Sequence, residues 1–256
     1  SGDAQIVGIT GEGGVGKTRL CEELIERCRS RHVAVLVARC PAQGRVAPLS
    51  FLLQVLRAHF GVSEDDDPEP SRDRITGRLL RADGCLAPDI PLMLDLLGAP
   101  APARPPLRMD PGERQRRYRE VLAALTAVRA RHAPLVVVLE DAQWMDAASE
   151  AIVDAPLPQA KCLVVLSFRS GSTPRLRNTP GYQELVLRRL EDGSEELLAQ
   201  LLGGAARDAA LLATLRDATG GNPLFAEEIV RELADQGALE GEPGDYHVTG
   251  NAEIEV

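Results

Sequence analysis

Five short segments of the chain are apolar with few polar interruptions: residues 5–10, 33–38, 134–139, 163–168 and a weaker 184–187. The middle three are continuously apolar and β-branched, not alternating, which is the pattern of strands covered on both faces. A parallel sheet sandwiched by helices is therefore expected. A helix is predicted over 18–29, where Leu20, Cys21, Leu24, Ile25 and Cys28 share one face. Another starts at Asp110, with Asp110 as cap, Pro111 in the first turn and Glu113 three residues after the cap; its apolar stripe is Tyr118, Val121, Leu122, Leu125 and Val128. The stretch 41–133 is too long for a plain crossover. Helical pieces at 49–59, 72–81 and 91–97 make it a mostly helical insertion, broken by an acidic segment at 64–70 and a proline-rich one at 98–106. Glu64, Asp65, Asp66 and Asp67 read as a solvated loop, because no rigid scaffold for a metal is evident.

Beyond the fifth strand the pattern is purely helical. Asp192 and Glu195 form a capping box ahead of Leu197, Leu198, Leu201 and Leu202. A helix over 208–219 stops at Gly220-Gly221, and Asn222-Pro223 opens a third that carries Phe225, Ile229 and Leu233 on one side and ends at Gly237. The predicted organisation is an α/β core over 1–191 containing the insertion at 41–133, a small helical lid subdomain over 192–238, and the start of a following module over 239–256.

Composition narrows the classes. With 256 residues, 44% hydrophobic and 26% charged, the chain is neither disordered nor fibrous; at 3% aromatic, its core must be filled by Leu, Val, Ala and Ile. A net charge of -9, from 29 basic and 38 acidic residues, removes any general attraction to nucleic acid or to an anionic membrane. Cys21, Cys28, Cys40, Cys85 and Cys162 show no CxxC spacing and read as buried thiols in a reducing compartment. The longest apolar run, 133–139, is too short to span a bilayer, and no signal peptide opens the chain, so a cytoplasmic location is expected. The opening Ser1-Gly2 without Met and the polar tail read as a fragment of something longer.

The strongest chemical signal is Gly11-Glu12-Gly13-Gly14-Val15-Gly16-Lys17-Thr18, which matches GxxxxGK[ST] at every fixed position between a predicted strand and a predicted helix. Only Lys17 and Lys161 are lysines, so the placement of Lys17 is informative. Glycines there let backbone N–H groups surround phosphate oxygens at a helix N-terminus. Lys17 would reach the β- and γ-phosphates of ATP and Thr18 would offer a hydroxyl to Mg²⁺. Arg19, directly after the loop, reads as an exposed helix residue at the margin of the same nucleotide-binding set. Dinucleotide binding is disfavoured, because a GxGxxG fingerprint has no use for the Lys-Thr pair.

A phosphate-binding loop needs an acidic strand end to hold Mg²⁺ and orient water. Residues 135–139 deliver Glu140-Asp141 at the carboxyl end of a strand, where ligands of open α/β sheets bind; either acid could serve the metal and the other the water. Their order is Glu then Asp where Asp then Glu is usual, and the shorter acid in the water-orienting place predicts slow hydrolysis. Arg169, ending the strand at Ser167-Phe168-Arg169, is either a γ-phosphate sensor or a surface arginine. Trp144 reads as a packing residue.

The loop, the string LVVVLEDAQWMD (135–146), LVVLSFRS (163–170) and GGNPLFAEEIVREL (220–233) together resemble the STAND branch of AAA-type P-loop ATPases, the signal-transduction ATPases with numerous domains. The similarity is greatest to modules that follow class III adenylate/guanylate cyclase domains and to those of large LuxR-type regulators of high-GC bacteria. It includes RCPAQGRVAPLSFLLQVLRAHFG and PLMLDLLG in the insertion. The resemblance implies nucleotide and Mg²⁺ contacts from Gly11 to Thr18, metal and water contacts from Glu140 and Asp141, and a sensor role for Arg169. It also implies that Pro223, matching the family's GxP motif, lies against adenine and ties the lid to nucleotide state. The family usually has a glycine-arginine-glutamate element and a helix before the first strand. Here the chain begins at the strand, so an open adenine pocket is expected; the family's winged-helix and superhelical repeat domains are not expected within residues 1–256.

The leading expectation is an ATP/ADP-binding switch with weak ATPase activity. Its partners would be neighbouring domains of the same chain, either a cyclase or a DNA-binding output with repeat domains, with nucleotide-dependent self-association as a further option. A nucleic-acid-acting motor or loader ATPase is the alternative, and net charge argues against it. A small-molecule kinase would need a basic lid, for which only 169–177 is a candidate.

Overall fold

Five strands, β1 (Gln5–Gly11), β2 (Ala34–Arg39), β3 (Leu135–Glu140), β4 (Cys162–Arg169) and β5 (Tyr182–Val186), form one sheet of order β2-β3-β4-β1-β5 in the computed structural model. The structure describes residues 5–40, 48–102, 105, 107–153, 161–190 and 194–249. The sheet is parallel, with Ala34 opposite Leu135 and Leu135 opposite Cys162 in the β2, β3 and β4 ladders. Every predicted strand is present within two residues, and the fold is the expected α/β, P-loop NTPase arrangement. From β1 the chain crosses to the far edge at β2, whereas from β4 it passes over β1 to β5. The carboxyl ends of β1 and β4 therefore flank the topological switch point where open α/β sheets bind ligands.

The chain divides into two compact units: residues to Thr10 with Thr18–Leu185, and Gly11–Lys17 with Val186 onward. In the first unit α1 (Lys17–Ser30) follows β1, and the insertion folds as α2 (Ser50–Phe60), α3 (Pro68–Ala82), α4 (Ile90–Leu96) and α5 (Pro111–His132), with α6 (Ala147–Val153) after β3. The start of α5 is set as its sequence predicts, the Asp110 carboxylate accepting from the N–H groups of Gly112 and Glu113. α2 carries a broad apolar face because it serves two cores. Phe51 and Val55 join the sheet core with Leu135, Leu139 and Leu166, while Leu52, Leu56 and Phe60 join the insertion core with Ile75, Leu79, Met93, Val121 and Leu125. The acidic segment is spent on local structure: Asp67 caps α3, Asp66 pairs with Arg74 and Glu64 with Arg57. Among the described residues no group of acidic, His or Cys side chains could hold a metal ion by itself.

The second unit is built on α7 (Ser194–Leu202), α8 (Ala209–Thr219) and α9 (Pro223–Asp235), followed by a hairpin of β6 (Leu239–Glu242) and β7 (Asp245–Val248). Asp208 caps α8, Gly220 closes it in a left-handed conformation, and Asn222 caps α9. The predicted capping residue Asp192 lies outside the described residues. Two expectations are corrected. Residues 239–248 do not open a separate module, because Leu239 and Tyr246 share one apolar cluster with Leu198, Leu202, Leu215 and Val230. The buried stripe of α9 is Ala226, Val230 and Leu233: Leu233 is as predicted, whereas the other two lie one residue beyond the predicted Phe225 and Ile229, and Phe225 is exposed.

Two further expectations fail locally. Trp144 is 42% exposed, because the short 3₁₀ turn Ala142–Trp144 buries Ala142 and sends the indole outward. Cys85 is exposed on another 3₁₀ turn, whereas Cys21, Cys40 and Cys162 are buried; all five thiols are free, and burial pushes Cys40 up to about 12 and Cys162 up to about 11. Among the described residues no helix is long and apolar enough to cross a membrane.

His59, in the last turn of α2, titrates at about 4 because burial disfavours the imidazolium, as do the nearby Arg129 and Arg78. Its folded value lies below the ordinary 6.5, so the stability linked to it is complete above about pH 6.5 and is lost as pH falls towards 4. Melting temperatures recorded across that window should fall more steeply for the native protein than for His59→Gln; parallel curves would contradict the burial of a neutral imidazole.

Candidate functional site

The loop between β1 and α1 needs glycine at two positions, with Gly14 at φ 78° and Gly16 at φ 99°. A Cβ on Gly13 or Gly16 would meet no heavy atom within 4 Å, so the loop backbone borders open space there. Gly11 and Val15 are buried; a Cβ on Gly11 would overlap the Leu187 carbonyl and the Val15 side chain. Lys17 is buried at the first position of α1, its Nζ donating to the Gly11 carbonyl at 2.9 Å and the Glu12 carbonyl at 2.6 Å. Thr18 and Arg19 are exposed in the same turn. That turn holds no acidic side chain, so the partial positive charge of the helix N-terminus is not answered by a carboxylate of its own first turn.

Within the second unit this loop is held by α9 and by the segment before α7. Asn222 Nδ2 donates to the Gly13 carbonyl at 3.0 Å, the Leu224 N–H to the Gly14 carbonyl at 3.2 Å, and Arg189 donates twice to one Glu12 carboxylate oxygen at 2.9 and 2.8 Å. Asn222 Oδ1 simultaneously accepts from the Leu224 N–H, so one amide caps α9 and holds the phosphate-binding turn. Pro223 sits between them at the first position of α9. The structure thus brings Pro223 to the loop. Arg189 and the Asn222 side chain were not expected as loop contacts; the glycine-asparagine-proline run signalled only a helix start.

At the carboxyl ends of β3 and β4 the first unit assembles the acidic part. Glu140 is buried, and Arg39, its register partner on β2, donates through Nε to its Oε1 at 3.0 Å. Asp141 follows in a left-handed conformation, φ 56°. Its N–H donates to the buried Ser167 Oγ at 3.1 Å, and its Oδ1 accepts from Gln143 Nε2 at 3.0 Å. Gln143 Oε1 in turn accepts the Arg169 N–H at 3.1 Å. Of the predicted trio, Asp141 and Arg169 are therefore linked through Gln143, with Ser167 holding the Asp141 N–H, while Glu140 is bonded to Arg39 instead; Gln143 and Ser167 are not expected from the sequence. The Arg169 side chain is exposed. Burial first, and then the charge of Glu140, with a smaller push from Asp141, raises the Cys21 thiol to about 12. Cys21 lies three residues after Thr18 on one helix face, so that face of α1 looks towards the acids.

These residues fit a nucleotide and Mg²⁺. The turn offers backbone donors beside open space with a lysine at its base, and in the first unit Thr18, Glu140 and Asp141 carry oxygen donors of the kind a hard divalent cation takes.

Residues 1–162 match the AAA ATPase domain family, and residues 191–247 match a domain of unknown function. An uncharacterized protein of Rhizobium meliloti (strain 1021) is 30% identical over 238 residues, covering 90% of this chain and 23% of the relative; the chain thus spans about a quarter of that protein's length. Among solved structures, a DNA polymerase III gamma subunit-related protein from Thermotoga maritima aligns with 94% of this chain and 60% of its own, at 14% identity and a TM-score of 0.35.

Replacing Asn222 by Ala removes both a cap and the Gly13 bond and should cost about 1–2 kcal/mol, read as a lower melting temperature. Asn222→Asp keeps the acceptor for the Leu224 N–H but loses the donor to Gly13, and should speed amide exchange in the loop while leaving the start of α9 protected. Gly14→Ala should be worse than either, because its Cβ would fall 2.6 Å from Asn222 Oδ1 and 2.7 Å from Leu224 Cβ at a positive φ. Native-like melting of Gly14→Ala would refute the grip.

Proposed function

Since the chain belongs to the AAA ATPase domain family, we propose that it is an ATP/ADP-binding regulatory switch of the STAND type, a slow ATPase inside a larger bacterial signalling protein. The observation that carries this reading is the direct bonding of the phosphate-binding turn to the first residues of α9 through Asn222 and Leu224. A phosphate group that reshapes the turn acts on the same carbonyls that hold the lid helix. Such a switch requires unequal interaction with ATP and ADP in its two states, not merely tight binding.

In this reading the backbone N–H groups of residues 13–18 and the Lys17 ammonium bind the phosphates, and Pro223 bears on the adenine. Thr18 and one of the two acids hold Mg²⁺, which when bound neutralises phosphate charge. Asp141, fixed through Gln143, orients water and takes its proton. Arg169 senses the γ-phosphate. Glu140 is committed to Arg39 by one oxygen and is the better placed of the two acids for the metal, its buried carboxylate being held rigidly. The Asp141 side chain is one methylene shorter than the usual glutamate, which supports slow turnover. The neighbouring domains that read the lid are a cyclase or a transcriptional output in a cytoplasmic protein, with self-association of the nucleotide-bound form.

Melting with ADP, ATP and a slowly hydrolysed analogue, each with and without Mg²⁺, tests this. Nucleotide at one hundred times Kd adds about 2.7 kcal/mol, a rise of roughly 2 to 4 °C for a chain of this size. The rise should vanish in Lys17→Ala and differ between ADP and the analogue. Absence of any rise, once copurified nucleotide is excluded, refutes nucleotide binding; equal rises refute the switch. Single-turnover phosphate release should be slow in the native protein and slower by about a hundredfold in Asp141→Asn.

A further inference from the structure

Where α2, α3 and α5 end, at the amino end of β2, the first unit contains a cavity of about 420 Å³ that the nucleotide site does not use. Its walls carry Arg78 and Arg81 from α3, Arg129 from α5 and His59 from α2, over an apolar floor that includes Leu125 and Val128. The acids at the far end of the sheet are a full strand away, since Ala34 lines the cavity and Arg39, five residues along β2, reaches Glu140. That is about 17 Å at 3.3 Å per residue.

The three arginines differ from their neighbours. Arg57, Arg74 and Arg117, on the same helices, pair with Glu64, Asp66 and Asp89. Among the described residues no carboxylate pairs with Arg78, Arg81 or Arg129, although the chain carries 38 acids to 29 bases. Arg78 donates to the His59 backbone carbonyl; Arg81 and Arg129 make no side-chain hydrogen bond within the described residues. The carbonyl ends of three helices make this cluster of cations tolerable. Each guanidinium retains N–H donors in the fork geometry that suits a phosphate or carboxylate. The volume lies within the range of small-molecule sites, and an apolar floor beneath a few convergent polar groups is their usual composition.

We propose that this cavity is a second ligand site, independent of the nucleotide reading, for a small phosphate-bearing molecule with an apolar body: the phosphate is held by Arg81 and Arg129 with Arg78, and the body lies on Leu125 and Val128. A bound dianion would offset the repulsion that Arg129 and Arg78 exert on His59, the charged groups that face it from α5 and α3, and so raise its titration midpoint from about 4.

Phenyl phosphate is the probe, and the whole chain carrying Lys17→Ala is the host, so that binding at the phosphate loop does not contribute. Calorimetry should show one saturable site with Kd at or below about 1 mM, and phenol, which lacks the phosphate, should bind at least about tenfold more weakly. NMR should show the His59 midpoint, assigned by its loss in His59→Gln, rising by about one pH unit on saturation. Arg81→Ala with Arg129→Ala, both exposed side chains whose removal leaves the core intact, should weaken binding at least about tenfold. Binding equally tight in the double variant, a His59 midpoint that does not move at saturation, or no binding by about 10 mM would each overturn the site.

Discussion

The hydrogen bond from Asn222 to the Gly13 carbonyl closes a contact between residues 209 positions apart, and the nucleotide-binding end of the molecule depends on it. Without a partner the carbonyls of a phosphate-binding turn point away from the phosphates and must be satisfied by water or protein. Here two of them are taken by the first residues of α9. The arrangement explains why Gly14 is a glycine on two counts: its φ is positive, and the space where a Cβ would stand is occupied by Asn222 and Leu224. The sequence motif is thus shaped partly by the start of α9 and not only by phosphate.

A comparable economy joins the insertion to the sheet. α2 places residues spaced by four, Phe51 and Val55, on the sheet and the adjacent row, Leu52, Leu56 and Phe60, in the insertion, so the two cores share one helix. Asp146 fastens its start by accepting the Leu49 N–H, and the same carboxylate accepts from the Ser149 hydroxyl and N–H at the beginning of α6. The segment that follows the acidic pair is therefore anchored to the insertion through Asp146, five residues beyond Asp141, which gives the insertion a physical connection to the acids that it does not itself supply.

The strands, the phosphate loop and most caps were legible because each is encoded locally: a continuous apolar run, a fixed glycine-lysine spacing, an Asp or Asn before a Pro. What escaped is non-local or ambiguous in period. The α9 stripe agrees with its sequence only at Leu233, because Ala226 is too small to signal a core and Phe225 beside it has the size that suggests one. The hairpin at 239–248 escaped because it offers a single buried residue per strand, Leu239 and Tyr246, around a polar turn, too few for an alternating pattern. Gln143, Ser167 and Arg189 are polar residues whose partners come from elsewhere in the chain or from a turn geometry that sequence does not display. The legible part of the site is its chemistry; the part that positions the chemistry is tertiary.

The inverted order of the acidic pair makes sense in the same terms. The residue after β3 adopts φ 56°, a left-handed conformation that Asp enters more readily than Glu because its short side chain can bond locally. The Asp141 carboxylate makes such a bond, through Gln143 two residues on, while its own N–H goes to Ser167. Glu140, still on the strand, needs length instead, because its carboxylate meets an arginine projecting from the adjacent strand. Breaking that pair would leave a buried charge uncompensated, a far larger loss than the pair's net worth. Backbone conformation thus selects the short acid at the turn and the neighbouring strand selects the long acid at the strand end, so the departure from the usual order follows from where each carboxylate must be held.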